Sequence, residues 1–397
     1  MTAQGFDHPT LLEPAVQAIL SQEYGRFSEA EYQRRRKALG GVMARQGCDA
    51  LLLAGEQRTA SQVYWLTAWP VTTEAYAVFQ PSERDVLFVE HFNHLPNARR
   101  IARDCDVRWA ERKGARHAIE ELRLRGAKKV GFMGLLSWSK MRELANAFEL
   151  ADLNADYAQL RMRKSDEEIQ WMRVGAALSD LGIEALARGA KPGMTERELG
   201  AMVERDYHAL GGATTIHFIG VNDMAAPECC VPPQFHSTRR LKAGDMMFVE
   251  FTATFWDSPG QVLRSFTLEA EPTPLFHDLH ATAEAAFAAM TGVLRAGVTC
   301  REIVEASHVI EQAGFTTYDD ILHGFGGGYW QPVLGSQSRP AGPVPDMQLE
   351  ANMTVVVQPN VITRDQKAGV QMGEMVRVTA EGFERMHRSP WGFRRLG

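Results

Sequence analysis

The sequence lacks the features that mark several classes of protein. No apolar run approaches the ~18 residues that a membrane-spanning helix needs. The formal net charge is −6 at pH 7, which argues against a nucleic-acid partner, because phosphate binding requires a basic surface. Hydrophobic residues make up 45% and charged residues 23% of 397 residues, as in ordinary globular proteins. We therefore expect a soluble chain long enough for two domains, with no membrane or nucleic-acid partner.

Cysteine is scarce, and its pattern excludes a disulfide framework. The chain has five cysteines, an odd number, without CxxC spacing and without a recognisable signal peptide. This pattern predicts reduced thiols in a cytoplasmic protein. Cys229 and Cys230 are adjacent, but no base is fixed beside them, so ordinary thiols are favoured over a nucleophile.

The glycine run Gly326-Gly327-Gly328 does not indicate a phosphate-binding loop. No Lys-Ser or Lys-Thr pair follows it, and no dinucleotide-binding spacing surrounds it. A nucleotide cofactor is therefore not expected.

The first part of the chain predicts an N-terminal arm followed by an α/β domain. Residues 1–27 contain two prolines and no long amphipathic pattern, so they form an arm with at most a short helix. Ser28, with Glu31 three residues on, predicts the start of a helix over 28–46. Strands and helices then alternate as far as residue 160, which indicates an α/β domain over 28–160. The predicted strands are 48–53, 76–79, 86–89 and 129–132, and the predicted helices are 95–103 and 115–125.

A second domain is predicted over residues 161–397, and it contains an internal repeat. Ser165 precedes an acidic first turn, which predicts a helix from there to about Arg188. Two segments, 193–199 and 297–303, share Gly, Thr, Arg and Glu at equivalent positions, offset by 104 residues. Each reads as a glycine turn, a threonine cap and a helix. Two such units indicate a pseudo-twofold domain with its site between the halves.

Six motifs occur in a fixed order along the chain, and together they resemble one family. They are Arg163-Lys164-Ser165-Asp166-Glu167-Glu168-Ile169, Pro192-Gly193-Met194-Thr195-Glu196-Arg197-Glu198-Leu199, Gly244-Asp245, the Arg264 turn, His323-Gly324-Phe325-Gly326 and Gly369-Val370. Their order is similar to that of the pita-bread family of prolidase, aminopeptidase P, creatinase and methionine aminopeptidase. The resemblance covers residues 28–385 and fits the two-domain creatinase and prolidase branch. It implies an α+β fold, with an N-terminal α/β creatinase-like domain before a pseudo-twofold pita-bread catalytic domain.

The metal-ligand positions that this resemblance implies are altered. The binuclear hydrolases of the family carry Asp, Asp, His, Glu and Glu there; this sequence carries Glu250, Gln261, His323, Gln358 and Gly373. Hard divalent cations prefer anionic oxygen ligands, which two amides and a glycine cannot supply. We therefore expect no metal cofactor. One alternative stays open: His323, Glu250 and Glu374 could bind one metal if a strand bulge turned Glu374 inward.

The resemblance to creatinase implies hydrolysis of a C–N bond without a metal. We expect a metal-independent hydrolase that cleaves an amide or amidine-like, non-peptide bond in a small polar molecule. Creatine itself is not expected, because Leu263 stands where creatinase has a glutamate beside the hairpin arginine. The alternatives are a lyase or decarboxylase on the same scaffold, a residual Xaa-Pro metallopeptidase, and a non-catalytic relative. The last is disfavoured because the chain lacks the acidic tail of the histone-chaperone relatives.

Three histidines are candidate site residues. His323 precedes glycines at a strand end, where a general acid or base could meet a ligand; a core histidine is the alternative. His236 lies in a proline-rich loop before the hairpin and could serve as the base, or be an exposed loop residue. His217 follows Gly211-Gly212 on a strand and could contact the substrate, or be a satisfied core histidine.

The remaining candidates are acids, amides and aromatic residues. Glu250 follows four apolar residues, so it is expected to be buried and either paired or protonated. With Glu374 it would hold a cationic group of the substrate or relay protons; pairing of Glu250 with Arg264 across the hairpin is the alternative. Arg264 could also clamp the substrate. Gln261 and Gln358 would orient the substrate, and Tyr329 with Trp330 could form an aromatic wall.

The resemblance also implies an assembly. In creatinase-like dimers the region after the first strand, here residues 56–70, reaches the partner's site. We therefore expect a homodimer in which the N-terminal domain completes the pocket of the other subunit.

Overall fold

The computed structural model describes residues 11–57 and 61–397, and these divide into two compact units. One unit comprises residues 22–161, and the other comprises residues 11–21 and 162–397. The short helix α1 (Pro14–Leu20) belongs to the second unit. The first ten residues of the predicted arm, and residues 58–60 of the predicted dimer segment, lie outside the described residues.

The unit of residues 22–161 is an α/β domain with a six-stranded sheet. Its helices are α2 (Glu29–Gln46), α3 (Ser61–Thr67), α4 (Leu95–Ile101), α5 (Gly114–Leu124), α6 (Trp138–Ala147) and α7 (Asn154–Met162). Its strands are β1 (Ala50–Glu56), β2 (Glu74–Phe79), β3 (Asp85–Val89), β4 (Cys105–Trp109), β5 (Lys129–Gly134) and β6 (Glu149–Asp152). The strand order is β4-β3-β2-β1-β5-β6, and β2 alone runs antiparallel to its neighbours.

The sequence predicted the centre of this sheet better than its edges. Ser28 accepts a hydrogen bond from the Glu31 amide and caps α2, as predicted. The buried strands β1, β2, β3 and β5 coincide with the predicted apolar runs. The edge strands β4 and β6 were missed because their side chains are partly exposed, so they show no apolar run.

The second unit is built on a nine-stranded sheet covered by long helices. Its further helices are α8 (Asp166–Gly189), α9 (Glu196–His208), α10 (Pro274–Val293), α11 (Cys300–Ala306) and α12 (Val309–Gln312). Its strands are β7 (Ala213–Asp223), β8 (Asp245–Phe255), β9 (Ser258–Leu268), β10 (Thr316–Thr317), β11 (Leu322–Phe325), β12 (Tyr329–Leu334), β13 (Thr354–Val357), β14 (Val361–Ile362), β15 (Gly373–Val378), β16 (Phe383–Arg385) and β17 (Arg394–Leu396). The main path is β12-β11-β13-β15-β9-β8-β7, with β16 on β15 and β17 on β9.

The internal repeat is confirmed as a structural repeat. Thr195 caps α9 and Thr299 caps α11, and each forms a full capping box with the glutamate three residues on. The preceding glycines, Gly193 and Gly297, have φ values of 89° and 88°, a region that L side chains rarely adopt. Equivalent turns therefore begin equivalent helices in the two halves of this unit.

Helix α8 packs directly on the β8–β9 hairpin through two glycines. A Cβ atom at Gly175 would lie 2.3 Å from the Ser258 carbonyl oxygen, and one at Gly260 would lie 2.1 Å from the Ala176 nitrogen. The absence of side chains at both positions allows this close approach, which fixes the hairpin beneath the helix. Among the described residues, no helix combines the length and apolar character required to cross a bilayer.

Candidate active site

A cavity of about 320 Å³ lies in the second unit, and four of the five positions singled out in the sequence line it. Five strands, β7, β8, β9, β11 and β12, line it together with the loops that follow β7, β10 and β13 and the segment before β15. The lining residues are Ile216, Phe218, Val231, Pro232, Gln234, Glu250, Gln261, Tyr318, Asp319, Asp320, His323, Tyr329, Gln358 and Gln371. The hairpin, His323 and Gln358 therefore meet in one place, although they are far apart in sequence.

The amides of Gln261 and Gln358 connect the acids of the cavity. Gln261 Nε2 donates hydrogen bonds to Glu250 Oε1 over 2.7 Å and to Gln358 Oε1 over 3.2 Å. Gln358 Nε2 in turn donates to Asp319 Oδ2 over 3.3 Å and to the Asp320 carbonyl over 3.2 Å. A continuous hydrogen-bonded chain thus runs from Glu250 to Asp319 through two neutral side chains.

The side chains at the five positions do not fit the binuclear metal centre of the family. The amide nitrogens of Gln261 and Gln358 face acceptors, and a nitrogen that donates a hydrogen bond cannot also ligate a cation. A Cβ atom at Gly373 would lie 2.3 Å from the Val357 carbonyl oxygen, so this backbone has no room for a glutamate there. Across residues 11–57 and 61–397, no three His, Cys, Asp or Glu side chains are grouped to hold a metal ion.

Two acids that the sequence reasoning missed belong to the cavity. Asp319 and Asp320 lie between β10 and β11, where they match no metal-ligand position of the family. Tyr329 OH donates to Asp320 Oδ1 over 2.7 Å and fixes that carboxylate. One feature of the sequence could have revealed them: the two acids are adjacent, and they stand four and three residues before His323.

Burial and mutual repulsion make these acids hold protons more tightly. Burial, reinforced by the charges of Asp319 and Asp320, raises the pKa of Glu250 to about 8. Burial is also the main cause of the raised pKa of Asp319, and the neighbouring charge of Asp320 adds to it. The cavity therefore carries acids that change protonation state near neutral pH.

His323 lines the cavity as a neutral imidazole. Its Nδ1 lies 3.2 Å from the Gly324 carbonyl, which can only accept, so Nδ1 carries the proton and Nε2 does not. Burial lowers the pKa of His323 to about 4. Tyr329 stacks on the ring with centroids 4.1 Å apart and planes at 19°. The orientation of the imidazole is thus fixed from two sides.

The predicted aromatic wall is only half present. Tyr329 lines the cavity, and Tyr318, which the sequence reasoning did not single out, lines it as well. Trp330 does not line it: its Nε1 donates to the Gly326 carbonyl over 2.8 Å, and its ring packs against the hydrophobic core. The alternation of side chains along β12 places these two neighbours on opposite faces.

The other two candidate histidines lie outside the cavity. His217 sits between the cavity-lining Ile216 and Phe218 on β7, so it faces the opposite side of the strand. There its Nδ1 lies 2.9 Å from Glu204 Oε1. His236 Nε2 donates to the His217 carbonyl over 2.9 Å, and the two rings meet edge to face at 4.7 Å. The predictions that these histidines face the substrate are corrected by this placement.

Glu374 and Arg264 form a buried ion pair outside the cavity. Arg264 Nη2 donates to Glu374 Oε2 over 2.8 Å, and Arg385 Nε donates to Glu374 Oε1 over 2.6 Å. Glu374 is therefore not aimed at the site, and the strand bulge that would turn it inward does not occur. Arg264 does not pair with Glu250 across the hairpin either, because Glu374 and four backbone carbonyls take its donors.

The two units and their motifs define a two-domain pita-bread protein of the creatinase and prolidase type. The sequence profile of metallopeptidase family M24 matches residues 170–380, and the profile of the creatinase/prolidase N-terminal domain matches residues 35–163. The chain therefore belongs to metallopeptidase family M24, a family of hydrolases.

Proteins that resemble this chain do so at low sequence identity. An uncharacterized hydrolase/peptidase of Sinorhizobium fredii is 23% identical, across 92% of this chain and 96% of its own length. The fold is that of an X-Pro aminopeptidase from Thermotoga maritima, with a TM-score of 0.79 at 17% identity over 91% of this chain and 99% of that one. An Xaa-Pro dipeptidase from Bacillus anthracis gives a TM-score of 0.78 at 20% identity over 92% and 100%.

Proposed function

We propose that this cavity hydrolyses a C–N bond, amide or amidine-like, in a small polar molecule without a metal ion. The observation that carries the proposal is the hydrogen-bonded chain Glu250–Gln261–Gln358–Asp319, whose first three members stand at positions where the resemblance places metal ligands. The two glutamine side chains are engaged in hydrogen bonds there and cannot act as acids or bases. The chemistry is therefore assigned to histidine and carboxyl groups.

His323 is the proposed base. Its Nε2 takes a proton from water as the water oxygen bonds to the carbon of the C–N group. The C–N bond then breaks, its electron pair goes to nitrogen, and nitrogen receives that proton. The hydrogen bond of Nδ1 to the Gly324 carbonyl supports this assignment because it leaves Nε2 unprotonated.

The acids and amides have complementary roles in the proposal. Glu250 and Asp319 hold the positive part of the substrate and relay protons, which corrects the earlier assignment of Glu374 to this task. Gln261 and Gln358 keep those carboxyl groups in place and orient the substrate. Tyr329 holds the imidazole ring of His323 in its orientation by stacking on it.

A residual Xaa-Pro metallopeptidase is the second candidate. Membership of family M24 favours it, as do the related folds of an X-Pro aminopeptidase and an Xaa-Pro dipeptidase. The residues at the five ligand positions argue against it, because only one histidine and one carboxylate are present there.

Turnover in ¹⁸O-labelled water, with and without a chelator, separates the candidates. A panel of small amides and amidines beside Xaa-Pro dipeptides serves as substrates. The proposal expects ¹⁸O in the product of a non-peptide substrate and no inhibition by the chelator. Cleavage of dipeptides that the chelator abolishes would establish the metallopeptidase, and a product without ¹⁸O would indicate a lyase.

We also propose that the protein is a cytoplasmic homodimer in which the N-terminal domain completes the partner's pocket. Large apolar side chains are exposed just after the carboxyl ends of β3, β4 and β5: Phe92 is 68% and Trp138 is 78% exposed, and Trp109 and Leu135 are exposed as well. Exposed large apolar side chains support an interface. Five unpaired cysteines are consistent with a reducing compartment.

Sedimentation velocity tests the dimer. Trp138→Ser should shift the equilibrium from dimer toward monomer, and a wild-type protein that is monomeric at every concentration would contradict the proposal.

A further inference from the structure

Two histidines and a glutamate form a cluster that the proposed mechanism does not use. His217 lies on β7 and His236 in the loop before β8, and their rings meet edge to face with centroids 4.7 Å apart. Glu204, on α9, places its Oε1 2.9 Å from His217 Nδ1. The His217 side chain points away from the cavity, because its neighbours on β7 point into it. The cluster is therefore separate from the candidate active site.

Hydrogen bonds fix which nitrogen of each neutral ring carries the proton. The Glu204 carboxylate can only accept, so His217 Nδ1 is protonated and Nε2 is not. The His217 carbonyl accepts from His236 Nε2 over 2.9 Å, which leaves His236 Nδ1 unprotonated. Among the described residues, His217 Nε2 is buried without a hydrogen-bond partner, in a side chain that is 6% exposed. Such a buried acceptor is costly, and native proteins usually satisfy it with a partner.

We infer that His217 Nε2 and His236 Nδ1 bind a borderline divalent transition-metal ion, Zn²⁺ or Cu²⁺, with water completing its coordination. The site goes beyond the proposed function, because it lies outside the cavity and contributes nothing to hydrolysis of the C–N bond. Metal-ligating histidines almost always donate their other N–H to a carboxylate or a backbone carbonyl. Glu204 and the His217 carbonyl supply one such acceptor each.

The spacing of the rings agrees with a shared ion. With metal–nitrogen distances of about 2.0–2.1 Å, two imidazoles on one ion have ring centroids roughly 5 Å apart. The observed separation of His217 and His236 is 4.7 Å. Gly200 on α9 leaves space beside both rings: a Cβ atom there would lie 2.6 Å from His236 Nδ1 and 3.6 Å from His217 Cε1. Any larger residue would fill that space.

The ligands select the kind of ion and limit how tightly it is held. Imidazole nitrogens suit Cu²⁺ and Zn²⁺, whereas Mg²⁺ and Ca²⁺ require oxygen ligands. In the described part of the chain no third side chain completes the set, so the ion is held by fewer ligands than in a structural zinc site. The cluster is also open to solvent, since the side chains of Glu204 and His208 are 37% and 49% exposed. The ion therefore exchanges readily and is removed by dialysis against a chelator.

Calorimetry on the dialysed full-length protein tests the site, with Zn²⁺, Cu²⁺ and Mg²⁺ as the probes. We expect Cu²⁺ to bind more tightly than Zn²⁺, and Mg²⁺ not to bind. His217→Ala and His236→Ala should each weaken Zn²⁺ binding by at least ~10-fold, since loss of an outer-shell partner alone costs that much. His94→Ala is the matched control: its ring lies 5.1 Å from that of His91, and its removal should leave the affinity unchanged. Unchanged affinity in both cluster variants would overturn the assignment.

Anomalous diffraction at the zinc edge on wild-type crystals does not depend on whether a variant folds. A peak is expected between the two rings, about 2.0–2.1 Å from His217 Nε2 and His236 Nδ1. A water molecule at that position under saturating zinc would overturn the assignment, because it would show that hydrogen bonds satisfy both nitrogens. A peak only in the cavity would overturn it as well, and would also count against the metal-independent hydrolase. A peak between the rings, with turnover insensitive to chelator, would support both proposals.

Discussion

Gln261 Nε2 donates a hydrogen bond of 2.7 Å to Glu250 Oε1, across the two strands of the hairpin. In the metal-binding relatives the equivalent pair would be two aspartates that share cations. In this chain an amide and a carboxyl group meet there through a hydrogen bond. The proposed function takes this pair as part of a site that works without a metal, and the following predictions test that proposal.

Removing the proposed base should abolish most of the activity. His323→Ala should lower turnover by at least ~10²-fold, because Nε2 then no longer accepts the proton of water. His236→Ala is the matched control: it removes another histidine of the same unit that hydrogen-bonds a backbone carbonyl instead of lining the cavity. Steady-state kinetics on both variants decides the point. Full activity of His323→Ala would remove His323 from the mechanism.

The raised pKa of Glu250 predicts how stability depends on pH. The folded pKa of about 8 exceeds the ordinary value of 4.5, so the folded state binds the proton more tightly than the unfolded state. Stability should therefore fall as pH rises from about 4.5 through 8. Glu250→Gln has no carboxyl group to ionise, so it avoids this loss. At pH 9 its free energy of unfolding should exceed that of the wild type by at least ~1 kcal/mol, and at pH 5 the difference should be smaller. Urea titrations at both pH values provide the measurement. A variant less stable than wild type at pH 9 would show that Glu250 is ionised and paired.

Glu374 should matter for stability and not for chemistry. Glu374→Ala leaves Arg264 buried without its carboxylate partner, which should cost about 3–5 kcal/mol of unfolding free energy. The control Glu384→Ala, on the neighbouring strand β16 with a half-exposed side chain, should cost at most ~1 kcal/mol. Chemical denaturation compares the two, and kcat of the folded fraction should stay close to wild type. A normal stability with lost activity would return Glu374 to the active site.

The sequence was most informative where local rules apply. Ser28, Thr195 and Thr299 cap their helices as predicted, because a cap depends on residues within one turn. Family membership also followed from the order of motifs. The motif order predicted that Glu250, Gln261, His323 and Gln358 lie together, and they do line one cavity.

What the sequence could not provide was the direction of side chains and long-range pairing. His217 lies between two cavity residues yet faces away, since strand neighbours alternate and a bulge near Thr214 shifts the register. Glu374 pairs with Arg264 rather than facing the site, a contact between residues 110 positions apart. Asp319 and Asp320 were overlooked because no metal-ligand position drew attention to them.

The most direct test of the metal-independent account is metal content measured beside activity. Inductively coupled plasma mass spectrometry on the purified protein should find less than ~0.1 equivalents of any transition metal, with activity unchanged by chelator, because the donor set offers too few anionic ligands. Near one equivalent of iron, manganese or zinc, with activity lost on chelation, would contradict the account and return the protein to the metal-dependent hydrolases.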